Sequence, residues 1–471
     1  MMALVTYSTL LALALLTACG RAPVYDLVIA NGRVMDPESG LDSIRNIGVR
    51  DGRVAAISTT ELMGSRVIDA TGLVVAPGFI DLHEHGQQEE SYGLMVRDGV
   101  TSAFELEVGT GDVAAWYAER DRGQLVNYGV SVGHIRARMK VLGDPGTGLL
   151  PSGIGGSGPA SEAQLAEMEA MLRQGLADGA VAVGFGTAYT PGATMAEIER
   201  MFRVAAEAGA SAHVHMRNGV AGLDSTIAAA VAARTKLHIV HVNSSGDTSL
   251  TFFLARIQAA RERGDVTTEA YPYGAGMTEI KSALFDDWQT WADARFGLHQ
   301  LVDTGERLTR KTFGQARQNG GTVIIHGRSE EQTRAAIVSP LTMIASDGYI
   351  ENGRGHPRTS GTYARVLGKY VRAENALPLM DALRKMTLAP AQRLEARVPA
   401  LAAKGRVRVG ADADLTIFDP AKVIDRSTYE DATIPSVGIP YVIVGGQLVV
   451  ENGQVTNARP GRAIRAPVKS R

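Results

Sequence analysis

Short alternating segments separated by turn residues occur at both ends of the chain. Within residues 24–76 and 405–460, apolar and polar residues alternate, and turn signals such as Asn31-Gly32 and Gly445-Gly446 separate the segments. A period of two between turns is typical of short antiparallel strands. Because two strand-rich ends flank a long middle, we predict one small composite β-sandwich domain built from both termini.

The middle of the chain, residues 77–404, alternates between apolar runs and helical patterns. Glu162 to Leu176 is helical in period, Ala180 to Phe185 is an apolar run, and Met195 to Ala208 is helical again. About eight such repeats over roughly 330 residues are what a (β/α)8 barrel requires. We therefore predict an α/β protein with a TIM-like barrel, whose chemistry lies at the carboxyl ends of its strands.

Two stretches interrupt this alternation. Residues 277–340 lie between the predicted seventh and eighth strands, and they are expected to form a lid over the barrel mouth. Gly143 to Pro159 is rich in Gly, Ser and Pro, which predicts a long loop after the third strand.

Residues 1–19 resemble a bacterial lipoprotein signal peptide. Leu10 to Leu16 has the length of a secretory apolar region and is too short to span a bilayer. Leu16-Thr17-Ala18-Cys19 resembles the lipobox, in which the Cys becomes lipidated, although no Lys or Arg precedes it. We predict a periplasmic protein anchored to the outer membrane through Cys19; a small buried Cys is the alternative.

Composition narrows the classes of function. The 471 residues are 45% apolar and only 21% charged, which is enough to fill a large core and excludes a disordered chain. The formal net charge of −2 provides no basic field for nucleic acid or for an anionic membrane surface. A single Cys excludes an intramolecular disulfide framework and a Cys-rich zinc module. The 10 His are left as the candidates for metal chemistry.

Two His end the predicted first strand of the barrel. In the segment Phe79 to His85, an apolar run leads to His83 and His85, which are two positions apart. On a strand this spacing directs both imidazoles to the same side, so both can bind one cation. We predict that His83 and His85 are metal ligands.

Two later strands also end in His. His215 and His241 are predicted as further ligands, whereas His213 and His238 are expected in the core or behind the ligands. Four His together with an acid make a mostly nitrogen site suited to zinc, with manganese or iron as alternatives.

The acid is Asp347, which follows the apolar run that we assign to the eighth strand. Taken alone, such an Asp is often a helix N-cap or a turn residue. Beside a metal-activated water, a carboxylate can take the proton of the water and then protonate a leaving nitrogen. We therefore predict Asp347 as the catalytic acid/base.

Taken together, these segments resemble the amidohydrolase superfamily and, within it, the N-acyl-D-amino-acid deacylases (D-aminoacylases). The resemblance covers nearly all of the mature length. The matching stretches are Pro77 to His85, Gly99 to Thr101, Val132 to His134, Tyr189 to Gly192, His215 to Arg217, Tyr271 to Tyr273, Ser346 to Gly348, His356 to Arg358 and Ala411 to Leu415.

The resemblance implies a metal-dependent hydrolase that cleaves a C–N amide bond, most specifically in N-acyl-D-amino acids. It also implies one or two zinc ions and a small-molecule amide substrate. His83 and His85 would hold the more exposed metal position, His215 and His241 the tighter one, and Asp347 would act as the acid/base.

The chain departs from the family at the bridging ligand. The family usually bridges the metals with a Cys at the end of the second strand, and this chain has Glu105 and Glu107 there instead. Both Glu have the same strand parity and are expected to point inward, where a bridging carboxylate is chemically reasonable. We predict Glu107, nearer the strand end, over Glu105; an ion pair with an internal Arg is the alternative.

A second departure concerns the substrate. Deacylases of this type typically have a Lys two positions after the sixth-strand His, where it helps to bind the substrate carboxylate; here that position is Asn243. Because an amide cannot supply the missing cation, carboxylate binding is expected from Arg217, Arg358 or another residue, or the substrate is of another kind.

Three further residues are predicted to contact substrate. Tyr189 and Tyr273 are expected as pocket walls and hydrogen-bond donors, with plain core aromatics as the alternative. His356, in a His-Pro-Arg segment, is expected either to touch the substrate or to cap a turn.

Two alternative functions remain open from the sequence. One is a peptidase or cyclic-amide hydrolase of the same superfamily, which Asn243 and the unusual second strand leave open. The other, of a different class, is a non-catalytic solute-binding lipoprotein that has kept the barrel. A closed structural zinc site is disfavoured, because the ligands are spread from His83 to Asp347.

Overall fold

The structure is a computed structural model that describes residues 24–468. Cys19 and the predicted signal peptide lie outside the described residues, so the lipid anchor stays a prediction.

The described chain contains strands of between two and thirteen residues. In chain order they are β1 (Val24–Asp36), β2 (Leu41–Arg50), β3 (Arg53–Ser58), β4 (Met63–Asp69), β5 (Val74–Pro77), β6 (Phe79–Asp81), β7 (Val100–Thr110), β8 (Asn127–Gly133), β9 (Val183–Gly186), β10 (Ser211–His215), β11 (Lys236–Ile239), β12 (Val266–Ala270), β13 (Gly276–Glu279), β14 (His299–Leu301), β15 (Thr322–Ile325), β16 (Thr342–Ile344), β17 (Ile350–Glu351), β18 (Arg354–Gly355), β19 (Leu415–Phe418), β20 (Tyr441–Val444), β21 (Gln447–Glu451) and β22 (Gln454–Val455).

The helices lie mainly between the strands of the middle region. They are α1 (Glu89–Arg97), α2 (Val113–Glu119), α3 (His134–Leu142), α4 (Ile154–Ser157), α5 (Glu162–Ala177), α6 (Met195–Glu207), α7 (Gly219–Ala233), α8 (Val242–Gly246), α9 (Leu250–Arg261), α10 (Asp293–Phe296), α11 (Arg310–Asn319), α12 (Glu330–Val338), α13 (Arg358–Arg365), α14 (Leu379–Met386) and α15 (Leu388–Glu395), with a π-helical segment at Val366–Ala373. Within residues 24–468, none of these helices has the length and apolar character needed to cross a membrane.

Eight parallel strands form the barrel, in the order β16-β12-β11-β10-β9-β8-β7-β6. The two ends of this sheet are joined just beyond β6 and β16. The Asp81 carboxylate accepts hydrogen bonds from the backbone N–H of His83 (3.1 Å) and of Ser346 (3.0 Å). The Asp347 N–H donates to the His83 carbonyl oxygen at 2.6 Å. The predicted TIM-like α/β fold is confirmed.

A second sheet is assembled from both termini, as predicted. Its order is β22-β21-β20-β19-β5-β1-β2-β3, and β4 pairs with β1. The antiparallel pairing of β19 with β5, with Leu415 opposite Pro77, joins the C-terminal strands to the N-terminal ones. Buried apolar residues from both parts, among them Ile47, Val49 and Ile443, form its core.

The interruption between the seventh and eighth barrel strands is a small folded unit. β13, β15 and β14 form an antiparallel three-stranded sheet, and Phe285, Trp291, Phe296 and Phe313 pack in its own apolar core. Helix α12 packs against β12 and β16, so the inserted unit ends before α12 and the helix belongs to the barrel.

We predict that Asp81→Ala lowers the free energy of unfolding by roughly 1–3 kcal/mol, because two buried N–H groups lose their acceptor where the barrel closes. Asp81→Asn keeps an acceptor oxygen and is the matched control. Calorimetric unfolding temperatures of the three proteins check this. A drop of the same size in Asp81→Asn would contradict the assigned role.

The same pair of proteins gives a pH dependence. Burial raises the pKa of Asp81 to about 6, against an ordinary value of 3.8. Because this folded-state pKa lies above the unfolded one, the stabilising contribution of the protonated carboxyl is lost as the pH rises through about 6. Relative to the unmodified protein, Asp81→Asn should therefore gain stability as the pH rises from about 4 to about 6, with little further change above about pH 7.

Candidate metal centre

The carboxyl ends of four barrel strands bring the four predicted His ligands and Asp347 together. His83 and His85 follow β6, His215 ends β10, His241 follows β11 and Asp347 follows β16. Parallel strands of a barrel all end at the same rim, so residues far apart in sequence meet there.

Glu107 reaches the rim through a bulge in β7. The register between β7 and β8 shifts between Glu105 and Thr110, so the residues between them lie outside regular pairing. The Glu105 carboxylate accepts hydrogen bonds from the N–H groups of Val108 (3.0 Å) and Gly109 (3.2 Å), which stabilises this bulge. Bulges of this kind re-aim a side chain, and here they place Glu107 over the barrel mouth.

A first group of donor atoms comes from His83, His85, Glu107 and Asp347. His83 Nε2 lies 2.7 Å from Glu107 Oε2, 3.2 Å from His85 Nε2 and 3.4 Å from Asp347 Oδ1. His85 Nε2 lies 3.3 Å from Asp347 Oδ1.

A second group comes from Glu107, His215 and His241. Glu107 Oε1 lies 3.1 Å from His215 Nδ1, and the other oxygen of Glu107 lies 3.7 Å from His241 Nε2. Glu107 is thus common to both groups. Its Oε2 atom faces His83 and His241, and its Oε1 atom faces His215. Glu107 therefore lies between the two groups. Among the predicted ligands, Glu105 contacts the outer nitrogen of His85, at 2.6 Å.

The donor set fits zinc. Within each group the donor atoms lie within 4.8 Å of one another, and they are imidazole nitrogens and carboxylate oxygens. Burial opposes the charge of Glu107, but His215 and His83 outweigh it and lower the pKa of Glu107 well below its usual value. The carboxylate is therefore ionised, as a ligand must be.

Carboxylates behind the ligands orient the imidazoles. His83 Nδ1 lies 2.5 Å from Glu269 Oε1, and the other oxygen of Glu269 lies 2.9 Å from His238 Nε2. Burial is opposed by His83 and His238, which together lower the pKa of Glu269 to about 2. A carboxylate on the outer nitrogen fixes the tautomer that leaves Nε2 facing the metal position. His238 thus lies behind the ligands, one of the two positions expected for it.

Asp347 is ionised and tightly held. Burial alone would raise the pKa of Asp347. Arg358, whose guanidinium lies 2.7 Å from Asp347 Oδ2, and the neighbouring His83 outweigh this effect, so the pKa falls far below its usual value. Asp347 and His241 both adopt positive φ, 52° and 33°. Strained backbone of this kind clusters at functional sites, where the surrounding structure stabilises it.

The residues that were predicted to contact substrate divide into two sets. Tyr189 and Arg358 line the cleft, and the Tyr189 ring packs against His215 at 4.4 Å between centroids. Four others are buried or turned towards protein groups, as follows.

Asn243 and Arg217 are bound to backbone. The Asn243 amide donates to the Tyr271 carbonyl oxygen (3.0 Å) and accepts from the Tyr271 N–H (3.4 Å). The Arg217 guanidinium bonds to the carbonyl oxygen of Ala193 in the loop after β9. In these positions both side chains hold loops together.

Tyr273 and His356 also make protein contacts. The Tyr273 hydroxyl bonds to Asp425 at 3.1 Å. His356 Nε2 donates to the Ala275 carbonyl oxygen, and Nδ1 accepts from the Arg358 N–H, each at 3.1 Å. Burial and the nearby Arg358 lower the pKa of His356 well below its usual value, consistent with this neutral ring. The geometry of His356 is that of a turn cap that positions Arg358.

Three residues at the site were not predicted: Glu269, Tyr271 and Arg328. Glu269 sits one residue before the end of β12, and an acid next to the carboxyl end of a barrel strand was the signal for it. Tyr271 follows that strand and lines the cleft, unlike Tyr273 two positions later. Arg328 comes from the end of the inserted unit, and its sequence context carries no comparable signal.

The cleft has two lobes that meet at Tyr189, Met277, Thr278 and Asp347. The His241 lobe encloses about 560 Å³ and is lined by His215, His241, Ser244, Tyr271, Arg295 and Arg328, among others. The His85 lobe is lined by His85, Glu107, Val108, Leu149, Leu150 and Glu279, among others. The inserted unit contributes to both, through Met277 and its neighbours.

We predict that Glu269→Ala weakens zinc binding by about 10- to 100-fold, because His83 loses the partner that fixes its orientation. Competition with a coloured chelator measures the affinity. Glu279→Ala is the matched control, since Glu279 lines the cleft and touches no ligand, and it should bind zinc as the unmodified protein does. Unchanged affinity in Glu269→Ala would refute the role.

Comparison with known proteins agrees with this geometry. Residues 136–450 match the model of the Amidohydrolase family. An N-acyl-D-glutamate deacylase of Alcaligenes xylosoxydans xylosoxydans is 31% identical over 489 residues, covering 93% of this chain and 96% of the relative. The crystal structure of N-acyl-D-glutamate deacylase from Bordetella bronchiseptica, complexed with zinc and a phosphonate inhibitor, has a TM-score of 0.82 at 26% identity and covers 94% of this chain and 100% of that chain.

A solved structure of D-aminoacylase, described for its binuclear metal centre, has a TM-score of 0.78 at 26% identity and covers 94% of this chain and 100% of that chain. The expected zinc chemistry is thus matched by the donor groups found here. The chain belongs to the amidohydrolase family, and it is a metal-dependent hydrolase that acts on carbon–nitrogen bonds.

Proposed function

We propose that the protein deacylates N-acyl-D-amino acids. The observation that carries this proposal is the ionised Asp347 within the donor cluster, at the junction of two lobes that can separate the acyl and amino-acid halves of a substrate. The names of the relatives, deacylases of D-amino acid derivatives, support the same substrate class.

The residues have distinct tasks in this reaction. A zinc ion held by the His and Glu107 donors would supply Lewis acidity that polarises the scissile carbonyl and lowers the pKa of an attacking water to roughly 7. Asp347 accepts the proton of that water and transfers it to the leaving nitrogen. Arg358 holds Asp347 ionised before the proton arrives. Burial raises the pKa of Tyr189 well above its usual value, so its hydroxyl stays protonated and can donate to the substrate.

A solute-binding protein would not need this arrangement. Burying Asp347 beside four His and Arg358 costs desolvation energy, and a site that only binds a solute does not require that cost. A proton-transfer role accounts for it, because the reaction requires a base beside the attacking water.

We predict that the zinc-loaded protein hydrolyses N-acetyl-D-amino acids in preference to N-acetyl-L-amino acids, dipeptides and cyclic amides. A chelator should abolish this turnover. Asp347→Asn should lower kcat by roughly 10²- to 10⁴-fold while zinc content, measured by atomic emission, stays the same. Turnover confined to dipeptides or cyclic amides would contradict the deacylase proposal.

We further propose that the mature protein is a periplasmic lipoprotein attached to the outer membrane through Cys19. The support is the apolar run and the lipobox-like segment that precede this Cys. Fractionation of cells expressing the full chain should find the protein with membranes. Cys19→Ala should move it out of the membrane fraction, and retention there would contradict the proposal.

A further inference from the structure

Arg328 brings an unpaired positive charge to the His241 lobe. Its guanidinium donates to the Tyr271 hydroxyl at 2.8 Å and to Ser244 Oγ at 2.7 Å. Within residues 24–468, no carboxylate forms an ion pair with Arg328. Because Arg has five donors and only two are used here, the guanidinium retains donors for an anion.

The two hydroxyls beside Arg328 add to this donor set. Each of them accepts a hydrogen bond from Arg328, and within the described chain neither donates to a protein acceptor. Their protons are therefore free to point into the lobe. A guanidinium with two adjacent hydroxyl donors is a suitable receptor for a planar carboxylate.

This donor set lies beside the metal centre. The Ser244 N–H donates to the His241 carbonyl oxygen at 2.8 Å, and the Tyr271 ring lies 6.4 Å from the His241 ring between centroids. A Cβ added to Gly276 would lie 2.8 Å from the Arg328 guanidinium, so the first strand of the inserted unit leaves room for this side chain. Ser244 and Tyr271 thus lie between Arg328 and the predicted metal ligand His241.

The other candidate cations are engaged elsewhere. Arg217 is bound to backbone and Arg358 to Asp347. Arg295 lines the same lobe, but its guanidinium stacks on Trp291 at 3.6 Å. The Asn243 amide is closed on the Tyr271 backbone. Asp247 also lines the lobe, and it makes no ion pair with Arg328 within the described residues.

We propose that Arg328, with the hydroxyls of Tyr271 and Ser244, binds the carboxylate of the substrate and makes the enzyme specific for N-acyl amino acids with a free carboxyl group. This inference rests on the proposed deacylase function. With the carboxylate held in the His241 lobe, the acyl group lies towards the His85 lobe, where Val108, Leu149 and Leu150 provide an apolar wall.

The test compares two substrates that differ only in the charge of interest, N-acetyl-D-leucine and N-acetyl-D-leucinamide. The zinc-loaded enzyme should prefer the acid. In Arg328→Gln, kcat/KM for the acid should fall by about 10- to 100-fold, mainly through KM, while kcat/KM for the amide stays nearly constant. Arg328→Lys keeps the charge but lacks the planar guanidinium. Its kcat/KM for the acid should lie between the values of the unmodified enzyme and of Arg328→Gln.

Arg295→Gln is the matched control, because it removes a positive charge from the same lobe. It should leave the ratio of the two substrates unchanged. An equal loss for acid and amide in Arg328→Gln would overturn the proposal, since it would indicate a structural role. Loss of the acid preference in Arg295→Gln, with Arg328→Gln unaffected, would overturn it as well.

A binding measurement separates this proposal from the deacylase function. Calorimetry on the zinc-loaded Asp347→Asn protein measures the affinity for the acid and for the amide without turnover. Tighter binding of the acid, lost when Arg328→Gln is added, supports the carboxylate site even if no N-acyl amino acid is hydrolysed. Equal affinities for acid and amide, or no binding of either, would overturn it.

Discussion

The shared carboxylate of Glu107 is the contact on which the rest of the site depends. Its two oxygens face His83 on one side and His215 and His241 on the other, so three strands must deliver their ends to a single buried charge. A buried carboxylate is tolerated only where it is paired, and here only imidazoles and a metal can pair it. The backbone at Glu107 also packs closely against β9. A Cβ on Gly184 would lie 2.3 Å from the Glu107 carbonyl oxygen, so this position requires glycine.

The placement of Glu107 also explains the neighbouring acids. Glu105 caps the N–H groups that the bulge in β7 leaves unpaired and orients His85 with its other oxygen. Glu269 orients His83 from the seventh strand. Each ligand imidazole on the His83 side therefore has a carboxylate behind it, and the negative charge of the centre is distributed over two layers rather than concentrated at the metal.

Strand periodicity predicted much of this from the sequence, within definite limits. The barrel, the two-termini sheet and the rim positions of His83, His85, His215 and Asp347 follow from local pattern and chain order. Parity alone placed Glu105 and Glu107 on the same side. The bulge that gives them different tasks is held by hydrogen bonds from the N–H groups of Val108 and Gly109 to the Glu105 carboxylate, which strand parity does not report. Tyr273 was predicted to contact substrate, whereas Tyr271 lines the cleft, because the path of a loop after a strand is not periodic. Arg328 was beyond prediction, since its position depends on how the inserted unit folds back.

The position of Arg328 suggests a division of labour between the barrel and its insertion. The metal ligands and Asp347 come from strand ends, which the closed sheet holds rigidly. Arg328 comes from the segment that returns from the inserted unit to α12, outside that sheet. A receptor for the carboxylate can therefore change without disturbing the ligands. The family resemblance implies a cation where this chain has Asn243. The difference is compatible with carboxylate binding by Arg328, because the Asn243 amide fixes the Tyr271 backbone while the charge comes from another element.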